Sequence, residues 1–171
     1  ERSLKRVVGV LQKVAETVAY AHERGVIHRD LKPSNVMVGS FGEAYVLDCG
    51  LAVVQGRRER SGVVGTIAYM APEQAQGSSE HVGPRADVYS LAAILYRSVT
   101  GHPSFTGKDV PSMLYDVVYR VPTQPSVLTA LPDFTFPARR DSKFSVSLRQ
   151  RRMAEMWELA LARTGGQTDG R

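Results

Sequence analysis

An acid, a lysine and an amide stand at fixed offsets in the stretch VIHRDLKPSNVMV, Val26 to Val38. Asp30 is a carboxylate that can accept a proton from a hydroxyl. Lys32, two residues on, can present an ammonium beside it, suited to the charge on a transferring phosphoryl group. Asn35 offers a neutral oxygen of the kind a hard cation such as Mg2+ accepts. Asp48 follows the next short apolar run and precedes Cys49-Gly50. A hairpin return would bring it beside Asn35. Two oxygen ligands, a base and a lysine on one spot make a phosphoryl-transfer site. The bland alternative is a turn, since His-Arg-Asp arises often by chance and Asp is a common turn former.

Such a site needs a scaffold, and the flanking sequence supplies one. Leu4, Val7, Val8, Leu11, Val14, Ala15 and Val18 recur at helical spacing, and Gly25 suits a left-handed cap. Val36-Met37-Val38 and Tyr45-Val46-Leu47 read as strands of a hairpin, with turn residues at Gly39-Ser40-Phe41-Gly42. Residues 52–65 are polar and aperiodic and read as a mobile loop. Residues 86–100 are apolar on nearly every face, as in a central buried helix stopped by Gly101 and Pro103. Residues 110–121 form a second, amphipathic helix before Pro122. Prolines 122, 125, 132 and 137 mark an extended region, and Met153, Met156, Trp157, Ala160 and Leu161 suggest a last helix. There is no internal repeat.

The 171 residues suffice for one domain with a core, and 43% apolar with 23% charged residues is an ordinary globular balance. No apolar run reaches membrane-spanning length and no signal-peptide pattern opens the chain. The single cysteine, Cys49, excludes an intrachain disulfide. It fits a reducing compartment, so the expected location is cytoplasmic, or the cytoplasmic side of a membrane-anchored protein. The chain begins at Glu1 within a helical pattern, which suggests a fragment of something longer. The net charge of +5 owes much to Arg139, Arg140, Lys143, Arg149, Arg151 and Arg152. A basic cluster can bind nucleic acid or anionic lipid. Here only Phe144 is interleaved for stacking, so a solvated tail is preferred and no nucleic-acid partner is expected. Two other motifs are set aside. GHPSFTGKD has one residue too many for a phosphate-cradling loop, and His22, His28, His81 and His102 lack metal-ligand spacing.

Order along the chain adds the most. HRDLKPSN is followed by DCGLA, then GTIAYMAPEQ, then ADVYSLAAILYRSVTG. With these four motifs in sequence, residues 4–132 resemble the C-terminal lobe of a eukaryotic-type serine/threonine protein kinase of bacterial style. The resemblance implies an α+β protein-kinase-like fold: a mostly α-helical C-lobe with small β-hairpins at the cleft and the N-lobe absent from this chain. It implies residues 1–132 as the C-lobe and 133–171 as a divergent basic tail. By position, Asp30 resembles the base that orients the substrate hydroxyl. Lys32 resembles the loop lysine near the γ-phosphate, which implies a Ser/Thr acceptor on a protein substrate. Asn35 and Asp48 resemble the two protein ligands of Mg2+. Met37 and Leu47 fall where the family floors the adenine of ATP, although in any hairpin they would be simple core. Arg29 resembles the arginine that reads an activation-loop phosphate. Thr66 resembles the threonine that ties the substrate-docking loop to Asp30 and Lys32. His28, Glu73 and Asp87 resemble structural supports: His28 packs by the Asp48 turn, Glu73 pairs with a distant arginine, and Asp87 holds the catalytic-loop backbone. Ser61, near Arg57, Arg58 and Arg60, is either an activating phosphosite or a solvated loop serine.

Three departures qualify the resemblance. No glycine-rich loop, strand lysine or partner-helix glutamate precedes Asp30, so the chain alone is expected to be inactive or nearly so. The missing N-lobe is expected from the same full-length chain. Cys49 replaces an aromatic residue, and a buried, inert thiol is the ordinary reading of it. Beyond Pro132 the pattern fades, and no arginine is spaced to pair with Glu73. A non-catalytic remnant or pseudokinase-like binding module is therefore the alternative.

Overall fold

The structure is a computed structural model that describes residues 4–55, 62–77 and 82–128. Helix α1 (Leu4–Glu23) buries Val8, Leu11, Val14 and Val18, one stripe at intervals of three and four. Gly25, at φ 72°, turns the chain out of it. A side chain would strain that left-handed cap. Strand β1 (Val26–Ile27) leads into the loop that carries Asp30, and a tight turn over Pro33–Asn35 leads out.

Strands β2 (Val36–Val38) and β3 (Ala44–Val46) pair antiparallel, with Val36 opposite Val46 and Met37 opposite Tyr45. The second strand thus sits one residue earlier than expected. Its end is fixed by the Leu47 amide, which leaves the ladder and donates to the Asn35 carbonyl at 2.8 Å. The stretch read as a mobile loop contains a strand. In β4 (Val53–Val54), Val53 pairs with Ile27 and Val54 with Val26. Two residues carry no period, so only the partner strand reveals them.

Helix α2 (Pro72–Ala75) precedes the long α3 (Pro84–Thr100). Pro84 stands where a missing amide hydrogen costs nothing, and Gly101 at φ 76° ends the helix. Helix α4 (Val110–Tyr119) starts on an Asp109 cap that accepts from the Ser112 amide at 2.8 Å. It stops two residues short of the expected end, because Pro122 biases Val121 toward extended backbone. Pro125 opens a short helix, α5 (Pro125–Leu128), where extended chain was expected. Proline is as well suited to a first helical turn as to extended backbone.

The core is made where α1 crosses α3, with Leu31, next to Asp30, packed among their side chains. A second cluster of Met70, Ala75, Phe105, Val117 and Val118 joins α2 to α4. Asp87 and Ser90, one helical turn apart on α3, are polar and buried. Asp87 meets the loop that carries Asp30. The Ser90 hydroxyl donates to the Tyr69 carbonyl at 2.8 Å, holding the turn that follows Thr66. One face of one helix therefore positions both segments that build the site. The basic cluster, the expected last helix and residues 133–171 lie outside the described residues.

Candidate active site

Asp87 is fully buried and has three donors around it. Oδ2 accepts from the His28 amide at 2.9 Å and from His22 Nε2 at 2.7 Å, and Oδ1 accepts from the Arg29 amide at 2.8 Å. A dry carboxylate is costly unless donors compensate it, and these do. Held from that side, the chain makes a sharp turn in which Arg29 takes φ 67°. A non-glycine residue in this region carries strain of about 1 to 3 kcal/mol, and such residues cluster at functional sites.

Asp30 emerges from this turn, buried except for 7% of its surface. Its Oδ1 accepts from the Thr66 amide at 2.8 Å and its Oδ2 from Lys32 Nζ at 2.6 Å. Lys32 also donates to Thr66 Oγ1 at 3.0 Å, which closes a ring of Asp30, Lys32 and Thr66. Asn35 Nδ2 donates to the Asp30 carbonyl at 2.9 Å and approaches Oδ2 at 3.5 Å. With its nitrogen so committed, the amide of Asn35 has its oxygen left for a cation.

Burial pushes the Asp30 carboxyl up. Hydrogen bonds from Lys32 and Thr66, with the Lys32 charge, together outweigh burial and hold it below the usual carboxylate range. Asp30 is therefore ionised at neutral pH. A lowered folded-state value adds stability above the unfolded value, and that stability is lost as pH falls through the folded one. Lys32→Met leaves burial opposed only by Thr66, so the Asp30 carboxyl should titrate higher by carbon-13 NMR. An unmoved titration would contradict this account of the site.

Asp48 takes the left-handed region at φ 59°, and its Oδ1 accepts from the Gly50 amide at 3.2 Å. Asp tolerates this conformation because its short side chain bonds locally. The Leu47–Asn35 backbone bond brings the Asp48 turn next to Asn35. His28 braces it: the Asp30 amide donates to Nδ1 at 3.3 Å, which leaves Nε2 as the donor to the Leu47 carbonyl at 3.1 Å. Arg29 Nε donates to the Leu51 carbonyl at 2.8 Å, on the far side of the same turn. Among the described residues no three His, Cys, Asp or Glu side chains converge as a metal cage. An Asn oxygen and one carboxylate are still a sufficient protein share for Mg2+ bound mainly through phosphates and water.

Met37 and Leu47 are 50% and 41% exposed, so the simple-core alternative for them does not hold. Tyr45, opposite Met37 in the ladder, is exposed too, and strand alternation puts all three on the outer face of the hairpin. Its inner face, with Val36, Ala44 and Val46, packs on the core. Cys49 is exposed, contrary to the expected buried thiol, because the turn it begins buries none of its residues. Glu73 lies in the first turn of α2, partly buried and engaged in a contact of its own. Ser61, Arg57, Arg58 and Arg60 lie outside the described residues.

Two residues of the site were not singled out from sequence. His22, set aside as scattered, is the third donor to Asp87. Gln74 reaches the carbonyl of Arg29. Neither is signalled by spacing, because each partner is more than 40 residues away in the chain.

The protein kinase domain family matches residues 3–150. This chain is a member of the protein kinase domain family. It is 38% identical over 127 residues to serine/threonine-protein kinase PknB of Mycobacterium tuberculosis, covering 71% of this chain and 20% of that protein. It is 38% identical over 132 residues to a probable serine/threonine-protein kinase of Streptomyces coelicolor, covering 74% of this chain and 19% of that one. It is 40% identical over 122 residues to a probable PknB of Bifidobacterium longum, covering 68% and 17% respectively. The chain thus spans about a fifth of the length of the curated relatives it matches. Bacterial-style serine/threonine kinases are the group it resembles. The kinase domain seen here consists of helices and two small antiparallel sheets among its described residues, none of whose helices is long and apolar enough to cross a membrane.

Proposed function

We propose that this chain is the C-terminal, catalytic-loop half of a protein kinase that phosphorylates Ser/Thr hydroxyls using ATP and Mg2+. The ring of Asp30, Lys32 and Thr66 carries this reading. An ionised carboxylate fixed by two independent donors can accept a hydrogen bond from a substrate hydroxyl and hold its oxygen in line. Its lowered pKa makes it a weak base, so its chief contribution is orientation. That suits a loose transition state in which the nucleophile's proton leaves late. Lys32 Nζ stands within hydrogen-bond reach of the same carboxylate and so can meet negative charge on the transferring group. Thr66 fixes the segment on which a substrate would lie.

Bound ATP supplies the phosphoryl group, and Mg2+ screens the charge on its oxygens. Asn35 and Asp48 would hold the metal, since both offer hard oxygen donors. The exposed face of Met37, Tyr45 and Leu47 suits the underside of an adenine ring. The parts that cover the nucleotide's phosphates are to be supplied from outside these 171 residues, and they would close over the same face. A cytoplasmic setting follows from the need for ATP. Arg29 would take an activation-segment phosphate, and Ser61 would carry that phosphate. A non-catalytic binding module remains the competing reading, favoured by the exposed Cys49 in place of an aromatic ring. It predicts no transfer even when the nucleotide is covered.

The purified 171-residue chain should hydrolyse or transfer phosphate from Mg-ATP only at background rate, because enclosure of the nucleotide is missing. Robust turnover by the chain alone, followed with radiolabelled ATP, would contradict this division of labour.

A further inference from the structure

Gln74 is buried to 4% exposure, in the second half of the four-residue helix α2. Its amide is fully engaged. Nε2 donates to the Arg29 carbonyl at 2.8 Å and approaches the Val64 carbonyl at 3.4 Å, while Oε1 accepts from the Ala71 amide at 3.4 Å. The usual account of a buried glutamine is a satisfied core amide. Its partners here are specific, however. Arg29 is the strained residue immediately before Asp30, and Val64 lies two residues before Thr66.

The two ends of Arg29 are therefore clamped from different elements. Asp87 of α3 takes its amide hydrogen, and Gln74 of α2 takes its carbonyl. Gly65 closes the third side. It sits at φ 118°, and a Cβ there would come within 2.9 Å of the same Arg29 oxygen. The peptide joining Arg29 to Asp30 thus has one seat, walled by Gly65 and bonded by Gln74. Without the amide donor the left-handed strain at Arg29 favours rotation of this peptide, which would re-aim the Asp30 carboxylate and loosen its bond to the Thr66 amide.

We propose that Gln74 is a positioning residue that fixes the Arg29–Asp30 peptide and couples it to the segment carrying Thr66. This rests on reading Asp30 as the group that orients the acceptor hydroxyl, but part of its test does not. Hydrogen exchange in the 171-residue chain should show the Thr66 amide exchanging about tenfold faster in Gln74→Leu, with the amides of the α3 core, such as Leu95, unchanged. An unmoved Thr66 amide, or a uniform speeding of all slow amides, overturns the proposal whether or not the protein is a kinase.

With a kinase N-lobe joined upstream, Gln74→Leu should lower kcat about tenfold and leave the KM for ATP and peptide within about twofold. Gln74→Glu, whose ionised carboxyl has no donor for the Arg29 carbonyl, should lower kcat at least as far at neutral pH. Unchanged kcat, or a loss confined to KM, overturns the role. If the unsubstituted joined protein transfers no phosphate, the kinase reading fails, and the Thr66 exchange alone decides whether Gln74 positions this peptide.

Discussion

Asp30→Asn, in this chain joined to a kinase N-lobe, is expected to lower kcat about a thousand-fold, the usual scale for a positioned acid–base group. The substitution keeps the size and shape of the side chain. An amide oxygen can still accept from the Thr66 amide, so the turn should survive. What is lost is the charge that pairs with Lys32 and the second acceptor that would receive the substrate hydroxyl. The KM for ATP should change little, because Asn35 keeps its 2.9 Å bond to the Asp30 backbone carbonyl and loses only the longer 3.5 Å approach to the carboxylate. Steady-state kinetics on a Ser-containing peptide measures both quantities. A kcat within about tenfold of the unsubstituted protein would remove Asp30 from the reaction.

Asp87→Ala should cost about 3 to 5 kcal/mol of folding stability, enough to unfold a marginal domain. The magnitude follows from what is left behind. The His28 and Arg29 amides and the His22 ring would all lose their acceptor, the first in a fully buried bond and the other two in partly buried ones. Asp87→Asn retains one acceptor oxygen but turns an NH2 group toward a donor, so it should fall between. Urea denaturation followed by circular dichroism would rank the variants. A loss below about 1 kcal/mol for Asp87→Ala would mean the loop holds its strained turn without this carboxylate.

Legibility from sequence differed by residue, for physical reasons. Helices α1 and α3 were readable because burial imposes a period or a continuous apolar run on many residues at once. The loop chemistry of Asp30, Lys32 and Asn35 was readable because the three lie within six residues, so spacing alone limits their geometry. Strand β4 was hidden, being two residues whose pairing comes from Val26 and Ile27 far back in the chain. The exposure of Met37 and Leu47 was ambiguous for the same reason: a short hairpin has two apolar faces, and only its docking against α1 shows which one is open. His22 and Gln74 were unreadable. Each acts on a partner defined by tertiary contact, and a lone His or Gln in a helix has many ordinary explanations.

This also explains why one helix face matters so much. Asp87 holds the amide side of the catalytic turn, and Ser90 holds the carbonyl of Tyr69 beyond Thr66. The segments carrying Asp30 and Thr66, bonded to each other directly, are thus both tied to one turn of α3. A site that works by orientation gains from being referenced to a single rigid element.

The most direct measurement is phosphate transfer by this chain joined to a kinase N-lobe, using ATP labelled at the γ position, Mg2+ and a protein acceptor, with modified residues located by mass spectrometry. The account predicts label on Ser or Thr hydroxyls, dependent on Mg2+ and on Asp30. A folded, nucleotide-binding joined protein that transfers no label would contradict it and leave the non-catalytic reading in its place.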